Sequence, residues 1–236
     1  MPPPHLPSHL THKAALVLLP PASITHPIDS LRRKHDKHFH RWPPHINLLY
    51  PFLSDLSALY PDPGADEAVL KDEVGKRIAS AVATITPFRV HLSPRPGVFT
   101  HGTRGAATVW LDPVEADAGQ ARLGELQENL QKEFEECDTD PRGFTPHLSV
   151  GQAKRREGVD KLGREVEMVV RGFLGDGGYG VGRGNGDADE GRAEALGGAR
   201  GESLDLEWWV DRVYVIRRKG YKDRFKVVGE VMLGNG

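Results

Sequence analysis

The fold and the chemistry turn on two short stretches, Pro44-His45-Ile46-Asn47-Leu48 and Pro146-His147-Leu148-Ser149-Val150. Each reads proline, histidine, apolar, small polar, apolar. In an extended strand, side chains alternate between faces. His45 and Asn47 therefore share one face while Ile46 and Leu48 share the other, and His147 and Ser149 repeat the pattern. Each copy presents one titratable imidazole and one neutral hydrogen-bonding group on a polar stripe. Imidazole titrates near ~6.5, so two of them can hold opposite protonation states around neutral pH, one as base and one as acid. Asn47 and Ser149 are placed to bond the nonbridging oxygens of a phosphate and stabilise transition-state charge.

Outward from these stretches, helices and strands interleave. Ala14 to Leu19 is a continuous apolar run closed by Pro20-Pro21 and reads as a buried strand. Ile28 to His38 has helical spacing. A strand is expected over His45 to Phe52, and helices over Asp66 to Val82, Gln120 to Glu136 and Val159 to Val170, each with apolar residues three or four apart. Further strands are expected over Pro87 to Leu92, Ala107 to Leu111, His147 to Val150, Trp208 to Arg217 and Phe225 to Leu233. Residues 1–12 read as a loose N-terminus and 13–235 as a single domain. Residues 172–201 hold 12 of the 27 glycines, too little apolar content to offset ordering entropy, and read as a flexible insertion.

Composition narrows the function. With 236 residues and a net charge of −2, the chain has no global attraction for long nucleic acids or anionic membranes. Basic residues do cluster, at Arg32, Arg33, Lys34, Lys37 and Arg41, at Lys154 to Arg156, and at Arg217 to Lys219. One cysteine, Cys137, excludes an intrachain disulfide and fits a reducing compartment. No apolar stretch approaches the roughly 20 residues of a membrane helix, and no signal peptide is read, so a cytoplasmic or nuclear location is expected.

The paired His-x-polar motifs, 102 residues apart, resemble those of the 2H phosphoesterase superfamily, which includes the 2′-5′ RNA ligase-like proteins and the cyclic nucleotide phosphodiesterases. The setting agrees: Ala15 to Pro21 resembles the family's opening strand and double proline. Tyr50-Pro51-Phe52 trails the first motif, Gly151 trails the second, and Val213 to Arg218 followed by Phe225 resembles the closing strand pair. The resemblance implies an α/β (α+β) bilobal fold, two pseudo-symmetric antiparallel-sheet lobes with outer helices and a central cleft. It also implies a hydrolase acting on 2′,3′-cyclic phosphate or 2′-5′ linkages, with RNA ligation in vitro as a second expectation. His45 and His147 would be catalytic and Asn47 and Ser149 would bind phosphate. Tyr50, three after Asn47 and so on the opposite face of a regular strand, reads as core or cleft wall. No cofactor and no metal are expected. The expected partner is an RNA 3′ end or small cyclic nucleotide, with no membrane and a monomeric chain. The sequence departs from the family at Asn47, where Thr or Ser is usual, which leaves open a fold that binds RNA ends or nucleotides but turns them over weakly.

Other residues invite competing readings. His91-Leu92-Ser93 also spells His-x-Ser but lacks the preceding proline and comes too soon. His101 and Arg104 read as a hairpin loop. His35, His38 and His40 near His45 have no second dense ligand group, and the G-x-G-x-x-G at Gly175 to Gly180 lacks a strand before it. Tyr221 falls in the closing hairpin turn.

Overall fold

A computed structural model describes residues 6–54, 73–102, 105–115, 121–138, 143–175 and 206–234. Among the described residues, ten strands and four α-helices follow in the order β1 (Leu10–Thr11), β2 (Ala14–Leu18), α1 (Ala22–His35), β3 (Ile46–Leu49), β4 (Phe52–Leu53), α2 (Glu73–Val82), β5 (Phe88–His101), β6 (Ala106–Glu115), α3 (Arg122–Glu133), β7 (Leu148–Lys154), α4 (Arg155–Gly175), β8 (Leu206–Val210), β9 (Arg212–Arg217) and β10 (Lys226–Met232). The fold is mixed α/β, as expected.

Eight strands form one antiparallel sheet in the order β10-β9-β2-β3-β7-β6-β5-β8. The expected lobes are its two four-stranded halves, and they are not separate sheets. The two motif strands, β3 and β7, are central neighbours and join the halves. The sheet also curls. β8 is one edge and β9 lies next to the other edge, yet only Asp211 separates them in the chain. Adjacent Cα atoms are about 3.8 Å apart, so the two ends of the sheet meet at this point. The single strand expected over Trp208 to Arg217 is thus two strands in opposite halves. Trp208 and Trp209 pair with Val90 and Arg89, while Tyr214 pairs with Val17.

The apolar run of β2 is buried throughout because both its faces are covered. Ala14, Leu16 and Leu18 enter the main core, whereas Ala15 and Val17 pack with Ile216 and Phe225 on the other face. Helices cover the core face by their apolar stripes: Leu123, Leu126 and Leu130 on α3, and Leu162, Val166 and Val170 on α4. Helices α2 and α3 pack together, α3 on β3 and α2 on β10, while α4 packs on β5, β6 and β7 and α1 on β7 and α4.

Boundaries differ from expectation in four places. Leu10 is buried and β1 pairs with β4, so the ordered chain begins before residue 13. The strand expected over His45 to Phe52 is interrupted at Tyr50-Pro51, where proline has no N–H for the ladder. Helix α1 starts at Ala22, earlier than the spacing suggested. Helix α4 extends to Gly175, four residues into the glycine-rich stretch, whose remainder lies outside the described residues, as do residues 66–72 of the second expected helix.

Gly151, directly after the second motif, lets α1 close on β7. A Cβ there would meet the Cβ of His35 at 2.6 Å and its backbone at 3.3 Å. Gly151→Ala is expected to lower stability by about 1–3 kcal/mol through overpacking. Gly124→Ala, in the first turn of α3 with open space around the new Cβ, is expected to be neutral or stabilising by up to about 1 kcal/mol. Denaturant unfolding of the two variants checks the contrast.

Candidate active site

The site is built on the β3–β7 bridge. Ile46 faces Leu148 across antiparallel strands. Continuing that register one step either way sets His45 opposite Ser149 and His147 opposite Asn47. Burial alternates as the motif requires: Ile46, Leu48, Leu148 and Val150 are buried, while His45, Asn47, His147 and Ser149 are partly open on the other face. The sequence echo is therefore a local twofold, with each histidine beside the other motif's polar residue.

The echo extends to single hydrogen bonds. His45 Nδ1 lies 2.8 Å from the Pro43 carbonyl, and His147 Nδ1 lies 2.8 Å from the Thr145 carbonyl, two residues back in each case. A carbonyl only accepts, so each Nδ1 carries the proton and each Nε2 is left with its lone pair. Each ring is also held by aromatics. Trp42 stacks on His45 at 4.6 Å and 13°, and Phe99 meets His147 edge-on at 4.9 Å. Gly97 makes room for the Trp110 ring, which stacks on Phe99.

The two imidazoles are not electrostatically equal. Burial holds His45 down at about 4, against the Pro43 hydrogen bond and aided by the nearby Arg32 cation. His147 is also lowered by burial, opposed by its Thr145 hydrogen bond.

His45, Asn47 and Ser149 line a cavity of 630 Å³, together with Arg32, Trp42, His101, Thr108 and Gln152. His147 lines an adjoining cavity of 550 Å³ that shares Ser149, His101 and Thr108. The two motifs thus meet where the cavities join, in a volume suited to a nucleotide-sized ligand. Tyr50 lines neither. Its ring stands edge-on to Trp42 at 5.3 Å. His101 was read as a loop residue, but it closes β5 and faces both cavities, with Nε2 2.8 Å from Thr108 Oγ1. His91 and Ser93 line neither cavity, and Arg104 lies outside the described residues.

Arg32 was legible only as part of a basic run. Its side chain is 2% exposed and bound to Asp36 Oδ2 at 2.8 Å and to the Trp42 carbonyl at 2.8 Å. Its Nη1 is buried with no protein partner, as is Asn47 Oδ1. Asp36 Oδ1 accepts from the His38 amide and from Gln152 Nε2, and Gln152 Oε1 accepts from the Lys37 amide. This network ties the end of α1 to β7 and holds Trp42 against His45. The signal for it was present: Ile28, Leu31 and Arg32 share the buried stripe of α1, with an acidic partner four residues on.

The other histidines have separate engagements. His35 Nε2 lies 2.9 Å from Glu165 Oε2, and His38 Nδ1 accepts from Arg41. Among the described residues, no three His, Cys, Asp or Glu side chains stand together as metal ligands. Cys137 is buried, its thiol pushed up to about 12, which disfavours a nucleophilic role.

The model of the 2′-5′ RNA ligase superfamily matches residues 20–171. The chain belongs to this superfamily of 2H phosphoesterases. The match includes both motifs, α1 and most of α4. A search of curated proteins returns no match. Similar solved structures include E. coli LigT complexed with 3′-AMP (TM-score 0.47, 14% identity, 95% of this chain and 99% of that one). Others are TT0787 of Thermus thermophilus (0.46, 17%, 95% and 100%) and Kluyveromyces marxianus Usb1 with uridine monophosphate (0.45, 12%, 92% and 98%). Membership makes the chain a phosphoesterase or RNA-processing enzyme in general terms.

The Arg32–Asp36 pair gives a test of the network. Asp36→Ala leaves a buried cation unpaired and is expected to cost about 3–5 kcal/mol, whereas Arg32→Met/Asp36→Leu is expected to recover much of that loss. Denaturant melts of the single and double variants check it.

Proposed function

We propose that this 2H phosphoesterase hydrolyses 2′,3′-cyclic phosphate at an RNA 3′ end or on a small nucleotide, by two-imidazole acid–base catalysis. The supporting observation is the β3–β7 register, which sets two imidazoles on one face with each Nδ1 tied to a backbone carbonyl. His45, held at about 4, is neutral at working pH and is assigned the base. It removes a proton from water as the water oxygen bonds to phosphorus. His147, assigned the acid, acts as the imidazolium: with Nδ1–H held by the Thr145 carbonyl, it gives its Nε2 proton to the ribose oxygen as that P–O bond breaks. The product is a phosphomonoester, and the proton on His45 returns to His147 through solvent. Ser149 donates to a nonbridging oxygen, and the positive charge of Arg32, which lines the cavity, stabilises the developing charge. Asn47 can donate from its Nδ2 to a phosphate oxygen, while its unpartnered Oδ1 can only accept, as from a ribose hydroxyl. No step in this scheme uses a metal.

His45→Ala and His147→Ala are each expected to lower turnover of nucleoside 2′,3′-cyclic monophosphates roughly 10²–10⁴-fold, with wild-type activity unchanged in EDTA. The pH profile follows from the two environments. The base must be neutral, so the acid limb of kcat/KM lies near His45's value of about 4. The acid must be protonated, so the alkaline limb lies below the ordinary histidine value of 6.5. A kcat/KM optimum above pH 7 would contradict the assignment.

A second reading, a module that binds an RNA end and turns it over weakly, is favoured by Asn47 in place of Thr or Ser. Asn47→Thr separates the two in steady-state assays. A large gain in kcat with weaker binding supports the binding module, and a loss of kcat/KM supports Asn47 as a working part of an enzyme.

A further inference from the structure

Beyond the cleft, a basic concavity of 740 Å³ lies at the turn between β9 and β10. Lys13, Arg217, Arg218, Lys219, Arg224 and Lys226 line it against one carboxylate, Asp223. Asp223 is already engaged, accepting from the Gly220 amide at 2.8 Å. Six cations around one cavity, in a chain of net charge −2, form a local field that attracts a polyanion.

The concavity shares a wall with the cleft. Arg218 is 7% exposed, donates to the Tyr221 and His12 carbonyls, and lies over the Phe225 ring at 4.7 Å. Phe225 packs on Trp42 at 3.9 Å, and Trp42 stacks on His45. Two rings therefore separate the basic pocket from a catalytic imidazole. Along this boundary stand two exposed aromatics, Tyr50 (37%) and Tyr221 (58%). Tyr50 leans on Trp42, and Tyr221 sits beneath Lys13 Nζ at 5.1 Å. The Tyr50 hydroxyl lies in the fields of Arg218, Tyr221 and Arg41.

Cations alternating with exposed rings are the chemistry of single-stranded nucleic-acid binding, where phosphates meet the charges and bases stack on the rings. An acidic peptide would use the charges but leave the rings unexplained. We propose that the β9–β10 hairpin is a second binding site, holding the phosphates upstream of the reacting end of a single-stranded RNA, with Tyr50 and Tyr221 stacking the intervening bases. The proposal rests on the reading that the cleft accepts an RNA 3′ end.

The test is fluorescence anisotropy with labelled oligouridylates of one, four and eight nucleotides ending in a 3′-phosphate, between 50 and 200 mM salt. Wild type is compared with K219E/R224E/K226E, all three positions exposed, and with Tyr221→Ala. Expected results are an octamer bound roughly 10²-fold or more tighter than the mononucleotide and most of that gain lost in the triple variant. The slope of log K against log salt should fall by about 2, from roughly 0.7 per phosphate contact, and Tyr221→Ala should weaken the octamer roughly tenfold. Mononucleotide hydrolysis by both variants should match wild type. Equal affinity for one and eight nucleotides, or an octamer indifferent to the triple variant, overturns the proposal. So does binding of tripolyphosphate at the hairpin without any length dependence. If wild type hydrolyses no cyclic phosphate yet shows the length and variant dependence, the catalytic reading fails and the strand site stands. Hydrolysis without length dependence removes the strand site alone.

Discussion

The whole site depends on one antiparallel contact, Ile46 against Leu148. A slip of one residue would turn both histidines toward the core and both apolar partners toward the cleft. The register is secured from below, because Ile46, Leu48, Leu148 and Val150 are all buried in one core. It is secured from the side by β2 and β6, which flank the pair. The face that carries both histidines is thus specified by apolar packing on the opposite face of the same two strands. The curl of the sheet follows from the same economy of chain: one residue, Asp211, carries the backbone from one edge to the strand beside the other, and the Leu233 amide bonds its carbonyl.

A perfect twofold would give two identical imidazoles, which is a poor arrangement for acid–base work. The surroundings break the symmetry. His45 is covered by Trp42, backed by Phe225, and feels Arg32. His147 meets Phe99 and Trp110 edge-on and has no cation among the causes of its shift. Burial lowers both, since an imidazolium loses hydration in either place, but the stacked ring and the neighbouring guanidinium act on His45 alone. The backbone supplies the likeness of the two motifs and the side chains around them supply the difference.

How much of this was legible in the sequence divides along physical lines. The motif strands and the helices α3 and α4 follow from period-2 and period-3.6 patterns that hold within a few residues. The pairing of His45 with Ser149 follows from the doubled motif once the two strands are neighbours. Arg32 was harder, since a charged residue in a basic run reads as solvated until its position on the Ile28–Leu31 stripe is weighed. His101 was misjudged because a glycine-rich turn suggests a loop, whereas β5 continues to the turn itself and carries the imidazole into the cleft. Trp208 to Arg217 could not be divided from pattern alone. Its apolar residues run through Asp211 without a turn signal, and only the sheet order assigns the two parts to opposite halves.

The aromatic wall shows why such long-range placement matters for chemistry. Trp42 comes from the loop after α1, its carbonyl held by the buried Arg32, and Phe225 comes from the end of the β9–β10 turn, directly before β10, its amide donating to the Arg41 carbonyl. Neither lies in a motif, and 183 positions separate them in the chain. Yet together they exclude water from one side of His45, and exclusion of water is what lowers its basicity and strengthens every charge acting on it. The same hairpin carries Arg218, which packs on the outer side of Phe225. A single ring therefore has the His45 imidazole on one side, through Trp42, and a cluster of cations on the other. Any anion drawn to those cations arrives beside the imidazole without entering its dry environment.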